Sequence, residues 1–162
     1  MARHAFFSFH HGRDVWRAGQ VRNCWVTQDR DAAGFWDAAE WESVKKKDQA
    51  TIEAWIDKQL KGTSVTVVLI GAQTSQRKHV GYEIKQSHIE GKGMLGIYIH
   101  GVKHVNGNID VKGDNPFSNW SITKNGSNIP LSQIYPTYDW VNDNGRGNIG
   151  TWIETAAKKA GR

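Results

Sequence analysis

The chain is poor in cysteine, proline and long apolar runs. A single cysteine, Cys24, among 162 residues leaves no intramolecular disulfide and no Cys-based zinc site. The three prolines all fall between residues 101 and 146. No stretch approaches the roughly 20 apolar residues of a membrane span. The opening MARHAFFSF has neither the long apolar core nor the small-residue cleavage site of a secretory signal. A cytoplasmic protein with no membrane partner is the expectation. There is no repeat, no low-complexity tract and no composition break that marks a linker. One domain over 1–162 is expected. The composition, 38% hydrophobic and 23% charged, is that of a globular chain. Eight tryptophans is a high count, and tryptophan is costly to leave exposed. Net charge is +5, but the basic residues are scattered. The lysine runs are Lys45-Lys46-Lys47 and Lys158-Lys159, each expected on a solvated helix face. No nucleic-acid partner is expected, while mild basicity suits a negatively charged ligand.

Three short runs are apolar on both faces and rich in β-branched or aromatic residues: Ala5 to Phe9, Val65 to Ile70 and Met94 to Ile99. Buried parallel strands read this way. Cys24 to Thr27 is a weaker candidate for a short second strand. Helical spacing appears over Asp14 to Asn23, with Val15, Trp16, Ala18 and Val21 near one face. It recurs over Asp48 to Leu60, Ser75 to Glu90 and Ile149 to Ala160, with Thr74 or Ser75 as a cap for the third. Strand alternating with helix predicts an α/β sandwich with a mostly parallel sheet. Residues 101–146, rich in Gly and Asn, read as long loops with one edge strand near Ser121 to Thr123.

In such a sheet, ligands bind beyond the carboxyl ends of the strands, where strand order reverses. His10-His11-Gly12-Arg13-Asp14 and Gly71-Ala72-Gln73-Thr74 are the loops expected there. Neither carries a Walker A or GxGxxG pattern, which counts against kinases, GTPases and Rossmann oxidoreductases. Asp14 is well placed as a helix N-cap. His100 and His104 have tempting spacing, but no carboxylate cluster supports a metal. Cys24 reads as a small core residue. Glu83 stands beside the stripe set by Val80 and Ile84. Pattern alone favours a surface glutamate paired with Lys85 or Arg77. The residues to this point give a ligand crevice and no reaction.

Five segments in order carry more: FFSFHHGRDVWRAGQVRN, FWDAAEWE, IEAWIDKQLKGTSVTVVLIGAQTSQRKHVGYEIKQS, GKGMLGIYIH and GDNPF. Together they resemble the TIR-like domain of Thoeris ThsB proteins over about residues 4 to 117. The resemblance implies a flavodoxin-like three-layer fold and a bacterial anti-phage role. It implies an enzyme with NAD as substrate, not as cofactor, cut at the nicotinamide–ribose bond to give a cyclic ADP-ribose isomer. That product would activate a separate NAD-depleting effector, ThsA. A phage-derived trigger and a homo-oligomer are further partners it suggests. It places the catalytic glutamate at Glu83. Phe9, Phe35 and Trp36 would supply aromatic walls. Arg13 and the helix N-termini would hold the pyrophosphate, and His10, Gly71 and Thr74 are further substrate-binding candidates. Tyr82 and Asn115 would line the site. His79 stands where the family has Trp, which puts the packing around Glu83 or the choice of product in question. Two other readings stay open: a non-catalytic TIR-like interaction module, and a nucleoside deoxyribosyltransferase-like N-glycosidic enzyme.

Overall fold

The computed structural model describes residues 4–26, 31–33 and 42–162. Its main sheet has five strands in the order β2-β1-β3-β4-β7. They are β1 (His4–Ser8), β2 (Asp31–Ala33), β3 (Val65–Ile70), β4 (Gly93–Tyr98) and β7 (Thr137–Asp139). Every pairing is parallel, with Phe7 opposite Val67 and Val67 opposite Leu95. Among the described residues the longer helices are α1 (His11–Val26), α2 (Gln49–Leu60), α3 (Lys78–Ile89) and α4 (Gly145–Lys159).

The apolar runs become strands because both of their faces are covered. All six side chains of β3 are buried. Phe7, Phe9, Val67, Leu69, Leu95 and Ile97 pack under α1 and α4 with Ala18, Val21, Trp25, Ile149 and Ile153. On the other face Val68, Ile70 and Met94 meet Val80 and Ile84 of α3, while Phe6 meets Ile56 and Leu60 of α2. Burial of each large side chain contributes about 1.5–3 kcal/mol. The result is the expected three-layer, flavodoxin-like α/β sandwich. β1 lies between β2 and β3, so the chain leaves β1 toward one edge and returns to its other side. That reversal opens a crevice above the carboxyl ends of β1 and β3. Among the described residues no helix is long and apolar enough to cross a membrane.

Several sequence expectations are corrected. Cys24 is not in a strand: α1 runs on through it, and β2 begins later, at Asp31. Cys24 is a buried thiol, and its Sγ lies 3.5 Å from the Arg146 carbonyl oxygen. Val15 and Trp16 do not face the core; they are 57% and 41% exposed, because Asp14, Arg17, Ala18 and Val21 take the inner face of α1. Neither Thr74 nor Ser75 caps α3, whose N-cap is Arg77; those residues form a separate 3-10 turn before it. Residues 101–146 are far from structureless. They hold an antiparallel hairpin, β5 (Ser121–Lys124) with β6 (Ser127–Pro130), and the edge strand β7. Phe117 and Leu131 from this region are core residues. Its aromatics cover apolar surface: Trp140 is buried, Tyr138 stacks on Trp152 at 4.1 Å, and Tyr135 lies against Phe117.

Candidate functional site

The crevice begins where β1 ends. Alternation along β1 sends Phe7 and Phe9 toward α1 and turns Ser8 toward α3. There the Ser8 hydroxyl donates to Oε1 of Glu83 at 3.0 Å. Glu83 is fully buried, and among the described residues its Oε2 has no hydrogen-bond partner. It is therefore no surface glutamate paired with Lys85 or Arg77. Burial drives its carboxyl well above the usual glutamate range, and only the Ser8 hydroxyl pulls the other way. Burial thus disfavours the ionised form of Glu83.

His79 stands one helical turn before Glu83 on α3 and is also buried. Its Nε2 lies 3.1 Å from the Phe9 carbonyl oxygen, which can only accept, so Nε2 carries the proton. This bond ties the start of α3 to the end of β1. Burial, assisted by Arg77 and His10, lowers His79 to about 4. His11 is lowered to about 3 by burial and by its histidine neighbours. Its ring lies 4.1 Å from that of Phe9 and 5.8 Å from that of His79. An aromatic shelf of Phe9, His11 and His79, neutral at physiological pH, thus lies near the buried acid.

Across the crevice, His10 starts α1. Its carbonyl accepts the Asp14 N–H at 2.8 Å, and its Nδ1 accepts the Arg13 N–H at 3.2 Å. His10 therefore does the capping expected of Asp14. The Asp14 side chain instead turns inward, 1% exposed, against the Cα of Gly71. Any side chain at position 71 would collide with it, which explains the glycine. No hydrogen bond of ordinary geometry reaches either Asp14 oxygen among the described residues. Burial raises its carboxyl to about 6, against the opposing pull of Arg13, Arg17 and the nearby Thr74 hydroxyl. Thr74 itself clasps the turn after β3, accepting the Gly71 N–H at 2.8 Å.

The remaining expected residues have varied places. Tyr82 sits one residue from Glu83 but turns toward α2, donating to Asp57 at 2.7 Å. With His79, Arg77 and Gln49 it lines a cleft of about 280 Å³. Asn115 uses its side-chain oxygen to accept the Phe117 N–H at 3.0 Å, capping a 3-10 turn. Arg13 donates to Asp110. Phe35 and Trp36 lie outside the described residues. Among the described residues no group of His, Cys, Asp or Glu is arranged to hold a metal ion. Ser8, Asp14 as a buried acid, and Asp110 were missed in the sequence. The signal for Ser8 was its place as the one polar residue in an otherwise apolar run.

A buried carboxyl held above its ordinary range gains from a cation brought against it, and the nearby helix starts suit an anionic group. Residues 6–104 match the family model described as "Thoeris protein ThsB, TIR-like domain". A Bacillus cereus (strain MSX-D12) protein named "Putative cyclic ADP-D-ribose synthase ThsB1" is 36% identical, with 94% of this chain and 100% of that protein covered. With a family model matching more than half of the chain, and a relative aligned along its whole length, this chain belongs to the Thoeris ThsB TIR-like domain family.

Proposed function

We propose that this chain is an NAD-cleaving cyclase of Thoeris anti-phage defence. The whole of 1–162 acts as one catalytic unit in this reading. The observation that carries it is the wholly buried Glu83 carboxyl beside the end of β1, in a chain similar along its length to a protein named as a cyclic ADP-D-ribose synthase. The product would be a cyclic ADP-ribose isomer, acting on the separate effector ThsA.

The chemistry follows from charge. The nicotinamide ring of NAD is cationic, and the bond between its nitrogen and the ribose breaks with the electron pair going to that nitrogen. Nicotinamide leaves neutral, so no general acid is needed, unlike ordinary glycosidases with two carboxylates. The positive charge passes to the ribose as an oxocarbenium ion. Glu83 meets that charge, first on the ring and then on the ribose. The arriving cation supplies the partner that the resting acid lacks and favours loss of its proton. A nucleophilic atom of the same ADP-ribose then attacks the anomeric carbon and releases a proton. Cyclisation requires that atom to arrive before water, which the aromatic shelf of Phe9, His11 and His79 favours by excluding solvent. Arg13 and the start of α1 would hold the pyrophosphate.

The test is nicotinamide release from NAD, followed by mass spectrometry with and without lysate of phage-infected cells. Glu83→Gln should lower release by about 10²–10³-fold or more while keeping the fold. A well-folded Glu83→Gln protein with undiminished release would sink the assignment.

A further inference from the structure

Arg13 and Arg17 stand one turn apart on α1 and both face the segment that follows β4, but they do different work. The Arg17 side chain is 7% exposed. Its Nε donates to the Val102 carbonyl at 2.8 Å and its Nη2 to the Asn108 carbonyl at 3.1 Å. Arg17 thereby anchors the segment by its backbone. The Asp110 N–H, donating to the His100 carbonyl at 2.8 Å, and the seating of Gly113 on Gly71 and Ala72 hold the rest.

Among the described residues the Arg13 side chain anchors no backbone. Its side chain is 38% exposed, and its Nη2 donates to both Asp110 oxygens at 2.9 Å. Asp110 Oδ2 also lies 3.8 Å from Arg17. An ion pair this open adds little to stability. Its effect on the crevice is larger. Asp110 and, when ionised, Asp14 face the two guanidinium charges there, so an incoming anion must displace Asp110 to pair with Arg13. A carboxylate presents to a guanidinium the same acceptor geometry as a phosphate.

We propose that Asp110 is an internal competitor for a diphosphate group at Arg13, and so sets how tightly the site holds a dinucleotide. The dinucleotide part of this rests on the function proposed above. A swing of the Asp110 side chain frees Arg13 while Arg17 keeps the backbone in place.

The test uses the full chain and two probes, inorganic pyrophosphate and ADP-ribose, with affinities measured by titration calorimetry. Asp110→Asn keeps an acceptor for the Val111 N–H that Asp110 now satisfies at 2.8 Å; Asp110→Ser is a second variant. Both should bind pyrophosphate about tenfold tighter than the native chain, and adding Arg13→Ala should abolish the gain. Unchanged or weaker binding in both variants overturns the proposal, as does a gain that survives loss of Arg13. A fall in melting temperature with weakened binding also overturns it, because Asp110 would then be a structural tie. Tightened pyrophosphate binding with no ADP-ribose binding by any variant would support competition at Arg13 and count against the dinucleotide reading alone.

Discussion

Among the described residues Glu83 has one hydrogen bond, from the neutral Ser8 hydroxyl, and no cation beside it to favour ionisation. Activity should therefore rise with pH as the carboxyl ionises. Ser8→Ala removes the one interaction that favours the anion. The rising limb of kcat/KM against pH should move to higher pH, with activity at neutral pH lowered about tenfold; an unmoved limb would show that Ser8 does not tune the acid. This pair was only half legible in the sequence. Helical spacing put Glu83 beside Val80 and Ile84, but its charge argued for the surface. A serine in a buried strand and an acid in a buried helix stripe explain one another only once the two elements are packed together.

At the scale of elements, β1, β3 and β4 were legible because an unbroken apolar run has few other uses. The edge strands β2 and β7 were not. Each has three residues, too few to show a pattern, and their parallel pairing comes from neighbours distant in sequence. The start of α1 was misjudged because an aspartate in the first turn looks like a cap, whereas His10 fills that place and frees Asp14 to turn inward. The segment after β4 is set by glycine. A Cβ at Gly113 would overlap the Gly71 carbonyl oxygen, a backbone atom that cannot swing aside, whereas a Cβ at Gly71 meets the movable Asp14 carboxyl. Gly113→Ala should cost about 1–3 kcal/mol and more than Gly71→Ala. Thermal unfolding of the two variants decides it, and equal melting temperatures would refute the close backbone approach.

For the whole molecule, buried titratable groups set opposing pH limits. His11 and His79 titrate near 3 and 4 when folded, below the ordinary 6.5. The unfolded chain takes up their protons first, so their contribution weakens stability as pH falls from 6.5 toward 4. Asp14, near 6 when folded against an ordinary 3.8, acts with the opposite sign. The unfolded chain releases its proton first, so the penalty grows as pH rises through that window. Glu83 carries the same sign, with a penalty that begins near its ordinary 4.5 and grows above it. Glu83→Gln should therefore gain melting temperature relative to the native chain as pH rises above 4.5. A variant that loses stability relative to the native chain as pH rises would contradict the raised carboxyl.

The parallel sheet has a consequence for how the chain finds its shape. Among the described residues, no two strands of the main sheet are joined by a tight turn; even β3 and β4 are separated by the whole of α3. The one local pairing, β5 with β6, lies outside that sheet. No hairpin can seed the central sheet, so large loops must close before any of its ladders forms. Refolding should run on the millisecond-to-second scale of non-local topologies and not the microsecond scale of helical bundles. During that interval β3, apolar on both faces, is the segment most open to pairing with another chain.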